Sequence, residues 1–147
     1  MSHSITLLLF LVQRMTDCQP GKKIYIQADA PRSGRLAVDL YGNDAWELSR
    51  EGMPGVFRAI HINPRFDQNC VIRNSHQNGR WEQEERGGGM PIRPGDRFIV
   101  CVTFQSHGFE IAFNGWHFAT FRYRTQFTPT TTMILSMIEH VNKIKYA

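Results

Sequence analysis

Residues Phe98–Tyr123 read FIVCVTFQSHGFEIAFNGWHFATFRY, and their spacing decides the fold class. Phe98, Val100, Val102 and Phe104 alternate with Ile99, Cys101 and Thr103, and Phe109, Ile111 and Phe113 repeat the pattern. Successive side chains of a strand point to opposite faces, so each run offers one apolar face to a core. Asn114-Gly115 joins the second run to Trp116–Tyr123. Both residues tolerate the positive φ of a type I′ turn, which makes this a hairpin.

The same period continues outward in both directions. Ile24 and Ile26 oppose Tyr25 and Gln27 over Lys23–Ala28, and Leu36, Val38 and Leu40 recur at every second position. Val56–Arg65 follows, with Ile60 and Ile62 on one face, and Thr132–Ile138 and Val141–Tyr146 close the chain. Pro20-Gly21, Pro31–Gly34, Gly42-Asn43-Asp44, Pro54-Gly55 and Pro94-Gly95-Asp96 punctuate the runs as turns. The nearly continuous apolar run Ile5–Val12 predicts a strand covered on both faces. Asp44–Gly55 reads as a loop with a short edge element, Cys70–Asn74 as a short strand, and Ser75–Gly79 as a turn. Met133–Lys145 could form a helical face, but its β-branched content favours strands, with a poor turn at Glu139-His140. Roughly ten to twelve short strands at even spacing argue for an all-β antiparallel sandwich or barrel.

Composition sets the outer bounds. At 147 residues the chain is expected to be one domain, residues 1–147, around one core. A charge of +4 favours anionic partners, but the basic residues are scattered and form no nucleic-acid footprint. Cys18, Cys70 and Cys101 are odd in number and lack CxxC spacing, so neither a disulfide framework nor a zinc site is indicated. A reducing compartment and structural thiols are expected, with Cys101 inside a core strand. The run Thr6–Val12 has no Lys or Arg before it and no small-residue cleavage site after it, so it does not read as a secretory signal. It is too short to span a bilayer.

The polar residues of interest lie between Ile60 and Arg86. His61, Asn63 and Arg65 sit at alternate positions, so they share one face while Ile60 and Ile62 point to the core. A guanidinium paired with a carboxylate, for which Glu84 is the best candidate, is fixed in place and can still donate to a hydroxyl. An imidazole and an amide beside it supply both donors and acceptors. Trp81 stands among Arg80, Glu82 and Gln83, a setting that suits an indole with one face in a groove. On an unbroken strand Trp81 and Glu84 would face opposite ways. A bulge or break between Glu82 and Glu84 is therefore required if Trp81, Glu84 and Arg86 are to meet one ligand.

The order His61-x-Asn63-Pro64-Arg65, Val71-x-Arg73-Asn74-Ser75 and Trp81-x-x-Glu84-x-Arg86 resembles the carbohydrate-recognition domain of the galectins. That resemblance implies a jelly-roll sandwich of two sheets, of the galectin and legume-lectin kind, with its site on the concave sheet. It also implies a β-galactoside-binding lectin without cofactor, metal or catalysis. In the family, the positions matching His61, Asn63 and Arg65 read the axial 4-hydroxyl of galactose, and the match to Trp81 stacks on the sugar's apolar face. The counterparts of Asn74 and Arg86 bond the 6-hydroxyl of galactose and, together with that of Glu84, the 3-hydroxyl of the following glucose or N-acetylglucosamine. The implied partners are β-galactoside glycans of glycoproteins and glycolipids, with no nucleic acid and no membrane insertion. A homodimer or a second domain would supply the multivalency a shallow site needs. Residence in the cytoplasm, with export that needs no signal peptide, is the matching expectation for location.

Two other readings stand beside it. A scaffold of the same fold could bind a protein instead of sugar. Glu82 and Glu84 on a regular strand would be about 7 Å apart, which overlaps the spacing of an inverting glycosidase pair. Against a hydrolase, the required break turns Glu82 away, and a Glu84 committed to Arg65 and Arg86 is held ionised, the wrong form for a general acid.

Overall fold

The computed structural model describes residues 10–42, 57–125, 130–138 and 140–147. Thr6–Leu9, the Asp44–Gly55 segment and Trp46 lie outside them. Every regular element among the described residues is a strand: β1 (Phe10–Arg14), β2 (Lys23–Asp29), β3 (Ala37–Gly42), β4 (Phe57–Arg65), β5 (Cys70–Gln77), β6 (Arg80–Trp81), β7 (Arg97–Phe104), β8 (Gly108–Phe113), β9 (Trp116–Arg122), β10 (Thr130–Ser136) and β11 (His140–Tyr146). They form two antiparallel sheets, β1-β10-β3-β4-β5-β6 and β11-β2-β7-β8-β9. Of the sandwich and the barrel, the chain forms the two-sheet sandwich.

The apolar face of each run is where the period puts it. Ile24, Ile26, Val38, Leu40, Ile60, Ile62, Phe98, Val100, Val102, Phe104, Phe109, Ile111 and Phe113 all lie in one buried cluster between the sheets. Burying each such side chain contributes roughly 1.5–3 kcal/mol, so a one-residue slip in any strand would be strongly disfavoured. Asn114 and Gly115 take φ values of 52° and 84°, which are the two left-handed residues of the expected hairpin.

Three local readings are corrected and one is upheld. β1 is an edge strand paired with β10 alone, and its consecutive residues Leu11 and Val12, which point to opposite faces, are both exposed, so the segment is not covered on both faces. β5 runs through to Gln77, because Ser75 and His76 are buried and pair onward; the turn is the two-residue Asn78-Gly79, with φ of 54° and 77°. β10 and β11 belong to different sheets and are not paired as a hairpin, in keeping with the poor turn signal between them. Cys101 sits in β7 on the side away from Val100 and Val102 and is partly exposed, whereas Cys18 is the fully buried thiol. Burial pushes the Cys18 thiol above its ordinary value.

Candidate functional site

The site is built on β4, in the middle of the six-stranded sheet. His61 lies opposite Asp39 of β3 and Asn74 of β5, so three polar residues form one row across three strands. A register shift between Arg58 and His61 bends β4 just before this row. His61, Asn63, Arg65, Asn74, Trp81 and Glu84 line one groove of about 560 Å³, together with Arg35, Ile72 and Glu82. Arg86, the remaining sequence candidate, stands beside it, bonded to Glu84 through Nε at 2.9 Å and Nη2 at 2.8 Å.

The parity problem is solved by one extra residue. Trp81 is opposite His76, and Glu82 N bonds Ser75 O at 3.0 Å, so a regular ladder would set Glu84 opposite Arg73. Glu85 stands there instead, exchanging 2.9 Å and 2.8 Å backbone bonds with Arg73. The bulge lies where the sequence demands it, and it brings Glu84 to the same groove as Trp81. Contrary to the expectation that the break turns Glu82 away, Glu82 also lines the groove, and its carbonyl accepts from Asn74 Nδ2 at 3.1 Å.

Each side chain is held by a partner. His61 Nδ1 lies 2.7 Å from Asp39 Oδ1; a carboxylate only accepts, so Nδ1 carries the proton and Nε2 is left for a ligand. Asn63 donates through Nδ2 to Leu36 O at 2.7 Å, and its Oδ1 accepts Arg65 Nε at 2.8 Å. Arg65 also donates to Gln68 Oε1 at 3.2 Å and faces Glu84 Oε1 at 3.6 Å, an ion-pair distance. Gln68 takes a second bond from Arg86 Nη1, also at 3.2 Å, and so ties both arginines to the β4–β5 loop. Arg35 clamps that loop through Asp67 at 3.0 Å and holds the Asp67 carboxyl below its ordinary value.

Trp81 is 47% exposed, which leaves indole surface open beside the polar row. Its ring is braced by His61 at 4.7 Å, by His76 edge-on at 4.9 Å, and by the Arg58 guanidinium at 4.8 Å. Arg58 is in turn fixed by Asp39 at 3.0 Å and Tyr41 at 5.2 Å. Below the sheet Arg73 is buried, donates to the Val71 and Gly87 carbonyls at 2.7 Å each, and stacks on Phe118 at 5.2 Å. Burial lowers its guanidinium from the ordinary value. Trp116, by contrast, is 80% exposed at the β8–β9 turn and has no part in the groove.

Asp39, Arg58, Arg35 and Gln68, which line the groove or hold the residues that do, are ones that sequence reasoning missed. Only Asp39 left a trace, an acid at an alternate position of an otherwise apolar strand. A second hollow, of about 180 Å³, lies on the five-stranded sheet among Tyr25, Gln27, Ile99, Lys143 and Lys145, and none of the predicted residues reaches it.

Residues 10–145 match the galactoside-binding lectin family, and the chain belongs to it. A β-galactoside-binding lectin of Electrophorus electricus is 43% identical over 83 residues, covering 54% of this chain and 56% of that protein. Across six such relatives the chain spans 23% to 62% of their length. The fold is similar to that of a toad ovary galectin solved with thio-digalactose, with a TM-score of 0.79 at 20% identity over 94% of this chain and 98% of that one. It is also similar to CG-16, a homodimeric agglutinin from chicken liver, with a TM-score of 0.78 at 23% identity over 95% and 100%.

Proposed function

We propose that this chain is a lectin that binds β-galactosides of the lactose and N-acetyllactosamine type, without metal or catalysis, at His61, Asn63, Arg65, Asn74, Trp81, Glu84 and Arg86. The observation that carries the reading is the convergence of a locked polar row and a half-exposed indole on one groove. His61 Nε2 offers an acceptor and Arg65 offers donors, so an axial hydroxyl that gives and takes one hydrogen bond satisfies both. Trp81 covers the apolar C–H face of the same ring. An equatorial hydroxyl would leave these partners unpaired, at roughly 1–3 kcal/mol each, which corresponds to at least a several-fold preference for galactose over glucose. Glu84, held between Arg65 and Arg86, accepts from the next sugar.

The toad relative's complex with thio-digalactose supports the choice of ligand, and the chicken agglutinin supports a homodimer as the route to avidity. Three free thiols suit a reducing compartment, and we read the chain as cytoplasmic with export that bypasses the classical route. Glycans of glycoproteins and glycolipids are then its partners. The test is calorimetry with lactose against cellobiose. Saturable heat with lactose and none with cellobiose is expected; silence with both would refute the lectin reading and leave a protein-binding scaffold of the same fold.

A further inference from the structure

We propose that Arg124, a residue that follows β9 of the opposite sheet, is a positioning residue of the groove. Together with Ser75 N and Glu82 O it holds the Asn74 amide with its NH₂ end toward the ligand. This rests on reading the groove as a galactoside site with Asn74 at the exocyclic 6-hydroxyl.

Arg124 reaches across the edge of the sandwich. Its Nη1 donates to Asn74 Oδ1 at 2.9 Å and to Ser75 Oγ at 3.2 Å. Its Nη2 donates to the Gln83 carbonyl and to Glu85 Oε2 at 3.1 Å, gripping the chain on both sides of Glu84. The guanidinium lies over the Phe121 ring at 4.7 Å. Next to it, Tyr123 is anchored by its hydroxyl to Gln105 O at 2.5 Å, by its amide to His107 O at 3.1 Å, and edge-on to Phe109 at 5.1 Å. The arm therefore leaves a rigid base.

The consequence for Asn74 follows from counting lone pairs. Its Oδ1 accepts from Ser75 N at 2.8 Å and from Arg124, which uses both acceptor sites of a carbonyl oxygen. A flipped amide would set its NH₂ against two other donors, so the flip is forbidden. Nδ2 gives one hydrogen to Glu82 O at 3.1 Å, and the other is left for the groove. Asn74 is thus a donor and never an acceptor toward ligand. It demands an oxygen that accepts, it cannot read a hydroxyl's proton, and it rejects a group that only donates. Without Arg124 the amide would keep only Ser75 N and Glu82 O to hold it, so its orientation would loosen, and the Gln83–Glu85 segment would lose its tether.

The test compares lactose with analogues altered at the galactose 6-position. Native protein should bind lactose about tenfold tighter than 6′-deoxylactose, as expected for one lost hydrogen bond to a buried partner. It should also refuse 6′-amino-6′-deoxylactose, whose ammonium group only donates. Arg124→Gln should weaken lactose several-fold and lower the lactose-to-deoxylactose ratio several-fold, and Arg124→Lys should restore part of that ratio. Equal loss for both ligands, with the ratio unchanged, would mean that Arg124 merely supports the fold and would overturn the proposal. Tight binding of the amino sugar by native protein would overturn it without any variant, so the test does not depend on Arg124→Gln folding. If native protein binds no lactose, the site reading fails and this inference fails with it.

Discussion

Asp39 Oδ1 accepts from His61 Nδ1 at 2.7 Å across the β3–β4 ladder, and the same oxygen holds Arg58 at 3.0 Å behind Trp81. One carboxylate thus sets the tautomer of the histidine and the seat of the tryptophan. Asp39→Ala should destabilise the fold by about 1–3 kcal/mol, the penalty of a buried donor left unpaired, and should weaken lactose about tenfold. Asp39→Asn, whose amide oxygen still accepts, should recover most of the stability. Denaturant unfolding and calorimetry check this; native affinity in Asp39→Ala would show that His61 needs no orienting partner.

Arg65→Ala and Trp81→Ala should each abolish retention on lactose-agarose while the domain stays folded. Trp81 is 47% exposed, so its removal sacrifices only part of an indole's burial, and Arg65 leaves behind the Asn63 and Gln68 oxygens and the Glu84 pair. A stability loss within about 2 kcal/mol is expected for each. Retention by either variant would disprove the assignment of the groove.

Gly108 is fixed by backbone and not by turn geometry. A Cβ there would stand 2.2 Å from Phe121 O and 2.7 Å from Arg122 Cα, atoms of the paired strand that cannot swing aside. Gly108→Ala should lose about 3 kcal/mol or more by overpacking. Gly115→Ala, which meets no atom within 4 Å but has φ of 84°, should lose only about 1–2 kcal/mol. Equal losses in urea unfolding would contradict this ordering.

Burial raises the Glu110 carboxyl, but bonds from His107 at 2.9 Å and Thr120 at 2.7 Å outweigh it, and the group ends below its ordinary value. The folded state then binds fewer protons than the unfolded chain, so the contribution is full above the ordinary glutamate range and disappears as pH falls through the lowered value. The stability gap between native protein and Glu110→Gln should be constant near neutrality and close between about pH 5 and pH 3. Thermal unfolding across that range gives the readout, and a gap that persists at the acid end would speak against a lowered carboxyl.

The strands were legible because burial imposes a period of two that hydrophobic residues report directly, as at Phe98–Phe104. Seven candidate residues were legible because their types and spacing resemble a family pattern, six of them line one groove, and even the bulge before Glu85 followed from the parity of Trp81 and Glu84. What stayed hidden depends on contacts between distant segments. Nothing around Arg124 hints that it reaches Asn74, 50 positions earlier. Ser75 and His76 look like turn residues until β6 pairs with them and buries them. The apolar run before Arg14 promised a covered strand, but its place at the end of a sheet is a matter of strand order, which periodicity does not encode.

The strand order also sets when this protein can form. β10 stands between β1 and β3, and β2 is flanked by β11, so each sheet needs a segment from the last fifth of the chain. While the polypeptide is being synthesised, the β3–β4–β5 meander and the β7–β8–β9 meander can appear as local units, but neither sheet is complete until β10 and β11 have emerged. Such non-local closure predicts folding in milliseconds to seconds once β10 and β11 are available to pair.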